Sequence, residues 1–94
     1  MNTDVRKGKP ARKAEVWLRQ AGVENTLYDP DQGTIHILND TALAIWNLCD
    51  GETDPEEMVQ AICDLSGMPA EVVTEDVERT LTELDVAGLL LWGS

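Results

Sequence analysis

Leu27-Tyr28-Asp29-Pro30-Asp31-Gln32-Gly33-Thr34-Ile35-His36-Ile37-Leu38-Asn39-Asp40 is the stretch on which the fold turns. Asp29 to Gly33 has the chemistry of a tight hairpin loop: proline fixes φ near its start, and glycine permits positive φ at its end. Thr34 to Leu38 then alternates and is β-branched, which predicts a strand antiparallel to the one ending at Tyr28. Ile35 and Ile37 share a face, expected to point toward the core. Asn39 is a good helix N-cap, and Asp40 in the first turn suits the positive end of a helix dipole. Strands therefore stop and helices start at the Leu38-Asn39 junction.

Toward the N-terminus, residues 15–19 alternate with Val16 and Leu18 on one face, Gly22 interrupts, and residues 25–28 form a second short strand. Toward the C-terminus the period changes. Ala42, Ile45, Trp46 and Cys49 fall on a helical stripe that Asp50-Gly51 ends. Thr53 is the expected cap of a second helix, with Glu56 completing a capping box and Pro55 tolerated in the first turn. Met58, Val59, Ile62 and Leu65 give that helix its buried face, and Ser66-Gly67 closes it. Pro69 opens a third helix carrying Val73, Val77, Leu81 and Leu84 on one stripe. Gly88 ends it, and Leu89-Leu90-Leu91-Trp92 is an apolar tail expected to pack across the core. The order predicts an α+β fold: a three-stranded antiparallel sheet followed by three helices, like a winged helix-turn-helix with its sheet placed first.

Ninety-four residues with 43% apolar content suffice for one domain with one modest core. Residues 1–13 are expected to be a flexible basic tail and residues 14–94 the folded domain. No apolar run reaches the roughly 20 residues of a membrane span, and the N-terminus lacks the apolar stretch of a secretory signal. A cytoplasmic location is expected. The net charge of −11 is uneven. Residues 1–14 carry five bases against Asp4, a balance of +4, whereas the rest carries Arg19 and Arg79 against 17 acids, a balance of −15. Such a body is repelled by phosphate backbones. The third helix presents Glu71, Glu75, Asp76, Glu78, Glu83 and Asp85 where a DNA-reading helix needs Arg, Lys, Asn or Gln, so nucleic-acid binding is not expected.

Candidates for catalysis are poor. His36 is the only histidine, on a strand with no serine or cysteine near it in sequence. Cys49 and Cys63 lie within helical patterns without metal-ligand spacing and read as structural thiols. The glycines are dispersed at element boundaries and form no phosphate loop. A non-enzyme without cofactor or metal is the expectation.

Taken in order, Leu27-Tyr28-Asp29-Pro30-Asp31, Gly33 to Asn39, Ala42, Ala44-Ile45-Trp46, Leu48-Cys49-Asp50-Gly51, Asp76-Val77, Leu81, Leu84 and Gly88-Leu89-Leu90 resemble the PqqD family. The resemblance covers roughly residues 14 to 91; the basic N-terminal extension departs from it. It implies a peptide chaperone, or recognition element of ribosomally made, modified peptides. Such a domain binds the leader of a precursor peptide as an added strand and presents it to a modifying enzyme such as a radical SAM protein, a cyclase or a protease. The site implied here is Thr34, Ile35, His36, Ile37 and Leu38 on the third strand with Val73, Val77, Thr80 and Leu84 on the third helix. Strand addition needs an edge with free N–H and C=O groups, and Thr34 to Leu38 holds no Pro or Lys to protect one. Part of the helical stripe must also serve as core. Arg79 either meets an acidic leader residue or offsets Glu75 and Glu83. The acidic body favours a basic leader, with Asp76 and Glu83 as the acids concerned. A monomer is expected; a winged-helix regulator and a structural dimerisation domain are the competing readings.

Overall fold

The computed structural model describes residues 8–92. The hairpin forms where the sequence places it. Strand β3 (Glu24–Asp29) returns as β4 (Thr34–Leu38) in antiparallel register, with Tyr28 opposite Ile35 and Leu27 opposite His36. Gly33 takes φ +68°, and its N–H donates to the Asp29 carbonyl at 2.7 Å. Strand β2 (Trp17–Ala21) pairs with the other side of β3, so the sheet order is β2-β3-β4.

Three helices follow: α1 (Asp40–Leu48), α2 (Pro55–Ser66) and α3 (Ala70–Val86). Asn39 caps α1, its Oδ1 accepting from the Ala42 N–H at 2.8 Å. The cap of α2 is Asp54 rather than Thr53, and its capping-box partner is Glu57 rather than Glu56. Thr53 is engaged elsewhere: its N–H and hydroxyl both donate to the Asp50 carboxylate. The register of the box therefore moves by one residue, which puts Pro55 in the first position of the helix, where no N–H is needed.

The core joins Leu27 and Leu38 of the sheet to Ile45, Trp46 and Cys49 of α1, Met58 and Ile62 of α2, and Val73, Val77, Leu81 and Leu84 of α3. Leu65 is not among them; it is 82% exposed, because the buried stripe of α2 runs through Met58 and Ile62 only. Leu89 and Leu90 close the core from below α3. Burial pushes the Cys49 thiol up to about 12, as suits an inert core cysteine.

Two short strands lie outside the expected plan. Strand β1 (Pro10–Arg12) pairs antiparallel with β5 (Leu90–Trp92), Pro10 opposite Trp92. Arg12 donates to the carbonyls of Trp46 and Asn47, satisfying the open C-terminal end of α1 with a cation. A free tail reaching residue 13 is thus replaced by an anchored segment from Pro10 onward; residues 1–7 lie outside the described part. No helix among the described residues is long and apolar enough to cross a membrane.

Lys13 completes the anchor by reaching Asp29, whose side chain is fully buried, at 3.1 Å. The Asp29 carboxylate also accepts from Gln32 Nε2 at 2.7 Å and from the Asp31 N–H at 3.0 Å. Gln32 above all, with Lys13 and the Asp31 N–H, holds the Asp29 carboxyl below its ordinary value of 3.8 against the opposing effect of burial. A carboxylate depressed in the fold stabilises it above the ordinary value and loses that contribution as pH falls through the folded one. The melting temperature of the wild-type protein should fall as the solution is acidified below about pH 4, and Asp29→Asn should flatten that acid limb. Parallel limbs would show that the carboxylate carries no such linkage. Asn39→Ala should cost about 1 kcal/mol of urea-unfolding stability through loss of the cap.

Candidate functional site

The outer strand β4 leaves one side without a neighbouring strand among the described residues. In an antiparallel pair alternate N–H and C=O groups of the outer strand point away from its partner, so this side offers unpaired donors and acceptors. Beside it, β4, the start of α1 and the C-terminal half of α3 enclose a cleft of about 250 Å³. Its floor is apolar and buried: Leu38, Leu84 and Leu89, with Thr80. His36 and Ile37 form the strand wall, and Arg79 and Glu83, one helical turn apart, form the rim on α3.

The strand supplies this geometry through its parity. His36 and Leu38 turn toward the helices, and Ile35 and Ile37 turn outward, 65% and 67% exposed. This reverses the expectation that the two isoleucines face the core. The reason lies in the register: Leu27, fully buried, stands opposite His36, so the inward set of β4 must be the His36 and Leu38 set. Outward, Ile35 pairs with Tyr28, and Tyr28 with Trp17, whose rings meet edge to face at 6.3 Å between centroids. His36 Nε2 lies 3.1 Å from Thr34 Oγ1.

Of the nine residues expected to form the site, the cleft brings together His36, Ile37, Leu38, Thr80 and Leu84. Thr34 and Ile35 belong to the same strand but do not line the cleft. Val73 and Val77 are fully buried in the core. They sit in the N-terminal half of α3 and do not line the cleft. Asn39, Ala42, Ala87 and Leu89 enter the lining without having been anticipated. Their signal was weak, since they fall at the ends of helices where periodicity says least.

The rim charges are arranged unequally. Arg79 Nη2 donates to Asp76 Oδ1 at 2.6 Å, so the guanidinium is engaged one turn back along α3 and offsets Asp76, not Glu75 or Glu83. A larger hollow of about 800 Å³ is lined by Pro55, Glu75, Glu78, Leu81, Thr82 and Trp92. Arg79 and Glu83 line both spaces and so form the ridge between them. The strand that reaches the larger hollow, β5, is only three residues long. The smaller cleft combines a five-residue strand edge with an apolar floor, which is the pairing that an extended peptide requires.

The model of the family described as coenzyme PQQ synthesis protein D (PqqD) matches residues 24–90, and the chain belongs to that family. The matched span begins at β3 and ends on β5, leaving β1 and β2 outside it. Two solved structures share the architecture. One is TbiB1 in complex with the TbiA(beta) leader peptide, 26% identical with a TM-score of 0.76, covering 89% of this chain and 98% of that one. The other is a lasso peptide synthetase B1 complexed with the leader peptide, 21% identical with a TM-score of 0.77, covering 89% and 99%. Among curated protein sequences there is no match to the chain.

The two faces of β4 should respond differently to substitution. Ile35→Thr and Ile37→Thr should each alter unfolding free energy by no more than about 0.5 kcal/mol, whereas Leu84→Ala should cost about 2–5 kcal/mol. Denaturant titrations of the three variants check this, and a large loss at either isoleucine would contradict the outward orientation.

Proposed function

We propose that this chain binds the leader segment of a ribosomally made precursor peptide and presents it to a modifying enzyme. The leader adds as a further strand along β4, with alternate side chains dropping into the cleft between β4 and α3. The observation that carries this reading is the unprotected edge of β4 standing over an apolar-floored cleft. Main-chain bonds along the edge supply affinity, and the cleft supplies selectivity for the side chains that enter it. Two leader-peptide complexes with the same architecture support the reading, as does membership of the PqqD family.

In this role the chain is a binding domain and contributes no catalytic group. The chemistry belongs to its partner, which on the family resemblance is a radical SAM protein, a cyclase or a protease. A winged-helix regulator is disfavoured by the exposed acids of α3, among them Glu71, Glu75 and Glu78. The chain acts as a monomer with its own sheet edge left open for the guest.

A synthetic leader, taken from the precursor peptide encoded beside this chain's gene, provides the test. On titration into isotope-labelled protein, amide signals of residues 34–38 and 79–84 should shift together. Ile37→Pro should weaken binding by about ten-fold or more, the equivalent of one lost main-chain hydrogen bond of about 1.4 kcal/mol. A leader that binds while leaving β4 unmoved would rule out strand addition at this edge.

A further inference from the structure

The cleft carries one charge that the fold does not use. Arg79 and Asp76 neutralise each other at 2.6 Å, and His36 is engaged with Thr34. Glu83 lines the same cleft, is exposed, and has no ion pair or side-chain hydrogen bond among the described residues. It stands on the helix rim immediately before Leu84, whose side chain forms part of the apolar floor. Within this cleft the open position for a counter-charge therefore borders the apolar floor.

We infer that the cleft selects extended peptides that carry a lysine or arginine to meet Glu83 together with an apolar side chain to fill the floor at Leu38 and Leu84. The inference rests on the leader-binding reading above and adds the chemical class of leader that the site accepts. The charge of the whole chain, −11, reinforces the preference, because the field around the cleft attracts cations before any contact forms. An acidic peptide side chain would find only Arg79, already offset by Asp76, and would meet Glu83 as a like charge.

Strand geometry constrains where the cation can lie. Successive side chains of an added strand point to opposite faces, so two side chains that both turn toward α3 are separated by an even number of positions. The accepted pattern is thus an apolar residue and a basic residue at even spacing. A basic residue at odd spacing projects toward Ile35 and Ile37 on the outer face, away from Glu83. Asp76, which sequence alone puts on an equal footing with Glu83, is consumed by Arg79 and has no part in this selection.

Display of random linear peptides on the wild-type protein and on Glu83→Lys tests the inference without a known leader. Glu83 is exposed on a helix and lysine is a good helix former, so the variant should fold; its circular dichroism and melting curve are compared with wild type. Peptides enriched on wild type should carry Lys or Arg at even spacing from an apolar residue. Those enriched on Glu83→Lys should carry Asp or Glu at that spacing instead. An individual wild-type peptide should bind Glu83→Gln about two- to five-fold more weakly, with the difference shrinking as salt is added. Enriched peptides that shift β4 amides yet lose no affinity on Glu83→Gln, or pools with the same charge profile on both proteins, would overturn the inference and leave strand addition standing. A wild-type pool without enrichment, or one whose peptides leave β4 unmoved, would overturn both.

Discussion

The geometry of the cleft depends on one buried carboxylate. Asp29 ends β3, and its side chain is sealed from solvent. It holds Lys13 from the N-terminal segment, the Asp31 N–H within the turn, and Gln32 at the far side of the turn. Gln32 passes the constraint on: its Nε2 also donates to the Ala87 carbonyl at 2.9 Å, at the C-terminal end of α3. A single charge thus fixes the hairpin tip against the helix that forms the opposite wall of the cleft. A buried ion stabilises only when its lone pairs are met, and here three donors meet it, one from the N-terminal segment and two from the turn. Gln32 thus ties the turn before β4 to the end of α3, and Asn39 caps α1 where β4 ends.

That arrangement explains what the sequence revealed and what it concealed. The turn from Asp29 to Gly33 was legible because proline and glycine have fixed conformational roles. The N-cap at Asn39 was legible because its side chain has one local partner. The bond from Gln32 to Ala87 spans most of the chain and leaves no periodic trace. The pairing of β1 with β5 was hidden for the same reason, since three-residue strands of distant origin are below what alternation can signal. The one-residue displacement of the α2 cap arose from competition, because Thr53 and Asp54 are both competent and Asp50 claimed the threonine.

Alternation in Thr34 to Leu38 gave the parity of the strand but not its sign. Ile35 and Ile37 are the more apolar pair, yet they face outward, and the mixed pair His36 and Leu38 faces the helices. The sign is set by the partner strand, where Leu27 has no alternative to burial. A similar limit applies to α3. Val73, Val77, Leu81 and Leu84 are equivalent by periodicity, and all four are buried. Only position along the axis separates them: Leu84 lines the cleft beside β4, and Val73 and Val77 do not. A helix that serves as core at one end and groove at the other cannot be divided by its period alone.

An open strand edge invites pairing with any other extended chain, including a second copy of the same protein. Common protections are absent from β4: Thr34 to Leu38 contains no proline, no lysine and no bulge. Two identical bodies with a net charge of −11 must be brought together for such an edge to self-associate, and their repulsion opposes it. The same charge favours approach of a cationic guest. Acidic residues spread over α2 and α3, which contribute nothing to the core, therefore bear on specificity. Under the proposed reading the backbone edge is indifferent to side chains, and long-range charge acts on the approaching chain before the cleft acts on contact.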